Sequence, residues 1–205
     1  MLSGTLIRLQ MSVFMKKSNN LQIIQGVLFR PAQFFADFSA DLPTMRSLFI
    51  SYGMPLFLLG AIGRMVREMM QAVNAGHILR GDQLSVVFIV SFCAYILSVW
   101  LGGILLAKLG KAFQSDTDPE RSITLCMLAY TPFMLAQPVV AINPAMGPLL
   151  IIAMIYTAFL FGKGATPMLT TPPSKVVGFA IMAFFILFSI SDLTIRLFIS
   201  LFITA

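Results

Sequence analysis

The stretch ITLCMLAYTPFMLAQPVVAINPAMGPLLIIAMIYTAFLFG, from Ile123 to Gly162, contains four prolines and no charged residue. Its length is enough for two crossings of a bilayer, because one crossing takes about 20 residues of helix. Asn143-Pro144 is the natural place to turn, since Asn caps a helix N-terminus and Pro is favoured at the first helical position. The stretch therefore predicts a tight transmembrane hairpin.

Two prolines, Pro132 and Pro138, fall inside the first arm of this hairpin. Proline has no backbone N–H, so a carbonyl four residues upstream of each loses its partner and must be satisfied within the protein. Tyr130, Met134 and Gln137 share one helix face, which we expect to point into protein. Two interpretations remain open: a kinked packing helix, or the lining of a pathway for a solute or lipid.

The composition identifies the class of protein. Hydrophobic residues make up 58% and charged residues 11% of the chain, and the mean hydropathy is +0.90. A soluble domain carries about 25% charged residues. The net charge of +6 does not indicate nucleic-acid binding, because the basic residues bracket apolar segments as they do in membrane proteins.

The fold predicted from these patterns is all-α, a polytopic membrane bundle with N-terminal interfacial amphipathic helices. We expect a flexible leader over 1–19 and a single membrane domain over 20–205. Arg64 to Gln83 is interpreted as an external connection after the first span, with a short amphipathic helix that uses Met65, Met69, Met70 and Val73. The five predicted spans are 47–63, 84–106, 123–142, 145–161 and 176–202.

Charge in the loops predicts the orientation. Ten Lys and Arg residues fall on the side of the N-terminus and three on the other. By the positive-inside rule, the N-terminus is cytoplasmic and the C-terminus lies across the cell (inner) membrane.

The segment before the first span carries aromatic residues after an Arg-Pro pair. We interpret it as two short amphipathic helices on the inner membrane surface, with the aromatic side chains at the acyl boundary. The alternative is a lid packed against the bundle. The proposed membrane-surface residues are Arg30, Pro31, Phe34, Phe35 and Phe38.

The second span contains small residues every four positions, at Ala94, Ser98 and Gly102. Gly103 and Ala107 repeat the spacing one residue later. Such a seam allows another backbone to come close. We therefore assign these residues, with Pro132 and Pro138, to helix packing.

Asp192 and Arg196 lie within the last span, four residues apart, the spacing at which two side chains on a helix can meet. Ionisable groups within a span are costly and often functional. A candidate intramembrane polar site therefore comprises Asp192, Arg196, Tyr130 and Gln137. The alternative is a structural ion pair near the headgroups.

Several short motifs resemble those of the Yip (Ypt-interacting protein) family of five-span membrane proteins, in its prokaryotic members. They are Arg30 to Phe35 (RPAQFF), Ala129 to Pro132 (AYTP), the proline-bearing hairpin, and Lys163-Gly164 after it. Eukaryotic members bind prenylated Rab-type GTPases and act in vesicle formation, so the resemblance implies a scaffold role. This chain lacks the long polar arm and the Asp-Leu-Tyr-Gly-Pro element of those members. GTPase binding is therefore not carried over.

Two functions follow as expectations. The first is a non-enzymatic scaffold that binds membrane lipids, other membrane proteins or its own copies. The second is a small translocator of lipid or solute. We do not expect an enzyme, because no catalytic pairing of Ser/His, Asp/Asp or His/Glu recurs between the spans. With one histidine and no Cys/His cluster, neither a metal nor a cofactor is expected.

Overall fold

The computed structural model describes residues 20–203, with side chains up to Phe198. The leader expected over 1–19 lies outside these residues. Short 3-10 turns follow α4 and precede α7 and α8. The helices are α1 (Asn20–Phe29), α2 (Pro31–Ala40), α3 (Met45–Asn74, with a π-helical turn at Phe49–Gly53), α4 (Gly81–Leu109), α5 (Pro119–Ala129), α6 (Thr131–Ile142), α7 (Pro148–Leu169) and α8 (Val176–Ile203).

Five helical segments are long and apolar enough to cross a membrane, which confirms the predicted fold class. The third, Pro119–Ile142, is central: 72% of its most apolar window is buried, against 22% to 39% in the other four. Its first part is buried on all sides, without a break from Ser122 to Pro132. The uncharged arm that precedes Asn143 is thus the axis of the bundle.

The proline hairpin turns where the sequence predicts. α6 ends at Ile142, and the Asn143 side chain accepts a hydrogen bond from the Ala145 N–H at 3.1 Å. Pro144 begins the following 3-10 turn. The central span also breaks at Tyr130, immediately before Pro132, where α5 ends and α6 begins.

The first span is longer than the sequence pattern predicts. Its helix does not end at Gly63 but continues to Asn74, so the segment that begins at Arg64 is not a separate connection. From Arg64 to Asn74 there is no glycine or proline, and most of its residues are good helix formers. An Arg64–Glu68 ion pair of 3.3 Å forms within this extension.

Near its start, α3 contains the π-helical turn Phe49–Gly53. Pro55 lacks an N–H, so the carbonyl of Ser51 has no donor at the usual helical position. The Asn20 side chain of α1 donates a hydrogen bond of 2.7 Å to this carbonyl. A polar group freed by proline is therefore satisfied by another helix.

A buried contact joins the irregular parts of the first and third spans. The hydroxyl groups of Tyr52 and Thr131 are hydrogen-bonded at 2.6 Å, and both side chains are buried. Tyr52 lies in the π-helical turn, and Thr131 follows the break at Tyr130. The two distortions thus lie side by side.

The seam of small residues on α4 lies on the buried side of that helix. Ala94, Ser98 and Gly102 are all buried, and the Ser98 hydroxyl donates to the Ala94 carbonyl at 2.5 Å. Of the two adjacent glycines on α4, Gly103 makes the close approach to another backbone. A Cβ atom on Gly103 would lie 2.5 Å from the Cα of Ile123, whereas one on Gly102 would meet only side chains, at 3.6 Å or more.

α1 and α2 form a helical hairpin that packs against the bundle. Phe35 and Phe38 are buried, and the Phe35 ring approaches Gly164 of α7. The Tyr156 hydroxyl of α7 donates to the Leu28 carbonyl at 2.7 Å. The two helices exist as expected, but their aromatic face contacts protein, as in the lid interpretation.

Candidate functional site

A group of polar side chains lies within the bundle, toward the end that carries the Asn143 turn. We call it the polar cluster. It lies on three spans, the first, second and third. Its members are Arg64, Arg67, Glu68, Ser91, Tyr95, Tyr130 and Gln137.

The helix positions of Gly60, Arg64 and Arg67 direct the two arginines inward. A Cβ on Gly60 would approach Tyr95 at 3.4 Å and would also meet Met134, so this face of α3 contacts both α4 and α6. Arg64 and Arg67 follow at four and seven residues, which is the same helix face. They therefore extend the contact face of α3 toward the Asn143 end.

Both arginines are largely shielded. The exposed fraction of the side chain is 21% for Arg64 and 15% for Arg67. Glu68 lies 3.3 Å from Arg64 and 4.0 Å from Arg67. One carboxylate faces two guanidinium groups, so the cluster carries a net positive charge.

Two buried tyrosines form the deeper part of the cluster. The rings of Tyr95 and Tyr130 meet edge to face, with centroids 6.0 Å apart. Arg64 and Arg67 lie close enough to interact electrostatically with the Tyr95 hydroxyl, and Arg64 does so with Tyr130. The cluster thus extends from the charged groups to the aromatic centre of the bundle.

Several of these polar atoms have no hydrogen-bond partner among the described residues. Each such buried group costs about 1–3 kcal/mol relative to its hydrated state. They cluster at one place rather than being scattered through the core. The unpartnered atoms are Nε of Arg64 and Arg67, Oγ of Ser91 and both amide atoms of Gln137. The hydroxyl groups of Tyr95 and Tyr130 also make no hydrogen bond of good geometry, although Arg64 lies near the first and Ser191 near the second.

The structure separates the residues that the sequence grouped into one polar site. Tyr130 and Gln137 are fully buried. Asp192 and Arg196 form an ion pair of 2.7 Å on the outside of α8, with side chains 62% and 78% exposed. The four residues therefore do not line one enclosed route.

Arg64, Arg67 and Tyr95 were not among the sequence-derived site residues. The interpretation of Arg64 as the start of an external connection removed two arginines from the membrane region. The pattern that could have revealed them is Gly60, Arg64 and Arg67, since a small residue that contacts a neighbour fixes the direction of its helix face. Tyr95 gave no such signal, because a tyrosine within an apolar span is unremarkable by composition.

Five membrane-crossing helices, four of them packed around the proline-containing third span, define a multi-pass helical membrane protein. The family model of the Yip1 domain matches residues 26–191. The chain therefore belongs to the Yip1 domain family, which confirms the resemblance seen in the sequence motifs. No curated protein and no solved structure matches it significantly.

Proposed function

We propose that this protein is a non-enzymatic scaffold that organises the membrane around it. The observation that supports this proposal is the position of the α1–α2 hairpin. Tyr156, which bonds to Leu28 of the hairpin, lies thirteen residues from the end of α7 at Leu169. Thirteen residues span roughly 20 Å of helix, so the hairpin tip reaches about the middle of a 30 Å hydrocarbon layer.

A hairpin that enters from one side adds protein volume to one leaflet only. The outer side of the hairpin also carries polar residues. Gln22, Gln25 and Arg30 line a groove of about 410 Å³ there. Polar groups at this depth favour local thinning and water entry in the surrounding lipid. Both effects act on the same leaflet, and we infer that they favour curvature of the membrane toward that side.

The loop charges favour an orientation in which this leaflet is the cytoplasmic one of the inner membrane. Lys108, Lys111 and Lys175 lie at the same end of the bundle as the open end of the hairpin. The proposed partners are lipids of that leaflet, other membrane proteins, or further copies of this chain. A translocator is less well supported, because the exposed Asp192–Arg196 pair and the buried Tyr130 do not share a route.

Curvature-dependent sorting tests the proposal. The protein is reconstituted in giant vesicles with the hairpin side outward, and thin tubes are pulled from them. We expect the full chain to be enriched in the tube relative to the flat membrane, because the wedge lies in the convex leaflet. The fluorescence ratio of protein to lipid in tube and vesicle measures this enrichment.

Two truncations supply the comparison. A chain that begins at Pro43 lacks the hairpin, and lipid can cover the apolar surface that α2 leaves on α7. A chain that begins at Asn20 keeps the hairpin and is the matched control. Sorting should disappear in the first and persist in the second, with the five spans helical and the protein monodisperse in both. Equal sorting of the two truncations would overturn the proposal.

A further inference from the structure

The polar cluster has the chemistry of a binding site that the scaffold role does not require. It combines two shielded arginines with buried hydroxyl and amide groups that lack partners. We propose that it binds a phosphate group at the end of the bundle that carries Asn143. The ligand is an anionic phosphate ester, such as a phospholipid headgroup of the adjacent leaflet.

The depth of the arginines suits such a ligand. A Cβ on Gly63 would lie 2.7 Å from the carbonyl carbon of Gln137, so Arg64 begins just beyond the level of Pro138. The Asn143 turn lies five residues further, about 8 Å along the helix. An arginine side chain at this depth can reach the glycerol and phosphate level of a bilayer.

The charge and geometry favour a phosphate. Glu68 neutralises one guanidinium, the nearer one of Arg64 at 3.3 Å, and its distance to Arg67 is 4.0 Å. Arg67 therefore retains positive charge and a free Nε donor. Guanidinium groups bind phosphate oxygens through two parallel hydrogen bonds, which makes arginine the preferred residue for this anion.

The deeper groups complete the site. Gln137 is fully buried, and neither amide atom has a partner among the described residues. Gln137 continues the helix face of Tyr130 and Met134. Met134 faces Gly60, which lies one helical turn before Arg64 on α3. An amide donor and the Tyr95 hydroxyl are thus placed below Arg64, on the side toward which the ester and glycerol oxygens of a bound headgroup would extend.

The test uses the full chain in a phosphate-free maltoside detergent. Dihexanoyl phosphatidylglycerol, inorganic phosphate and dihexanoylglycerol are titrated separately, and the midpoint of thermal unfolding is followed. The first probe should raise the midpoint saturably, and the phosphate-free diglyceride should not. A shift with inorganic phosphate at similar concentrations assigns a free anion as the ligand, and a shift with the lipid alone assigns the headgroup.

Three variants connect the effect to the site. Arg67→Gln, which leaves the Arg64–Glu68 pair intact, should raise the half-saturating lipid concentration roughly tenfold or more, as expected for one charge-assisted contact. Arg67→Lys keeps the positive charge. Its half-saturating lipid concentration should lie between those of the parent and of Arg67→Gln. Arg80→Gln is the control, because Arg80 is an exposed arginine at the same end, paired with Asp82.

The proposal fails if neither phosphate-bearing probe shifts the midpoint of the parent. It also fails if Arg67→Gln and Arg67→Lys respond at the same concentration as the parent and Arg80→Gln. Curvature sorting is read from the hairpin truncations, so a negative result here leaves that test unaffected.

Discussion

At the scale of single residues, the structure shows how differently two adjacent glycines can be used. Gly102 belongs to the seam that the sequence indicates, yet its neighbours are side chains that can move. Gly103 contacts the main chain of Ile123, where a Cβ would lie 2.7 Å from the backbone nitrogen. The spacing of small residues predicted a close approach, but not which glycine makes it.

Gly103→Ala should therefore destabilise the bundle, because the added methyl group meets backbone rather than the end of a side chain. We expect a loss of about 1–3 kcal/mol, the range for an overpacked core. Unfolding in mixed detergent, followed by circular dichroism, measures this change.

Gly102→Ala is the matched control, since its Cβ would make ordinary contacts with Leu187 and Ile186. Its stability should equal that of the parent or exceed it by up to about 1 kcal/mol, because alanine is the better helix former and meets no obstacle here. Equal stability of the two variants would contradict the role given to Gly103.

At the scale of the elements, prolines determine which helices must hydrogen-bond to one another. Pro55 deprives the Ser51 carbonyl of its helical donor, and Asn20 of α1 supplies one at 2.7 Å. The other end of α1 is held by Tyr156, which donates to Leu28 just before Pro31. α1 is thus held at both ends by hydrogen bonds to groups of the spans, and the buried phenylalanines of α2 hold the other half of the hairpin.

Asn20→Leu tests this fastening. The variant removes the side-chain donor to the Ser51 carbonyl. We therefore expect the free energy needed to open α1 to fall by about 1–2 kcal/mol. Hydrogen–deuterium exchange of 20–29 should accelerate by roughly an order of magnitude, with the centre of the bundle unchanged. The control is Gln22→Leu, an exposed residue on the same helix, and equally fast exchange in both variants would refute the contact's importance.

At the scale of the whole molecule, five candidate spans, an odd number, predict that the two described ends lie on opposite sides of the membrane. The loop before α5 and the loop after α3 should therefore lie on opposite sides as well. The positive-inside rule assigns the first of these to the cytoplasm.

Cysteine labelling checks this orientation. The native Cys93 and Cys126 are unpaired and are first replaced by alanine. A single cysteine at Ala75 should react with an impermeant maleimide on intact cells, and one at Gln114 should react only after permeabilisation. The reverse pattern would show that the protein has the opposite orientation. Equal labelling of both positions would contradict the five-span arrangement.

The sequence alone determined the class of the protein, the number of spans, the hairpin at Asn143 and the family. These follow from composition and local pattern, because lipid as solvent requires long apolar helices and turn residues act over a few positions. It did not determine the end of the first span, since Arg64 looks like a loop residue until Glu68 and the neighbouring helices shield it.

The tertiary structure decided which polar groups meet. Asp192 and Arg196 are conspicuous in the sequence, yet they face outward, whereas Arg64, Tyr95 and Gln137 come from three spans and converge. The packing of Phe35 against Gly164 rather than lipid is a second such decision. Both depend on how helices distant in sequence pack against one another, and periodicity within one helix carries no information about its neighbour.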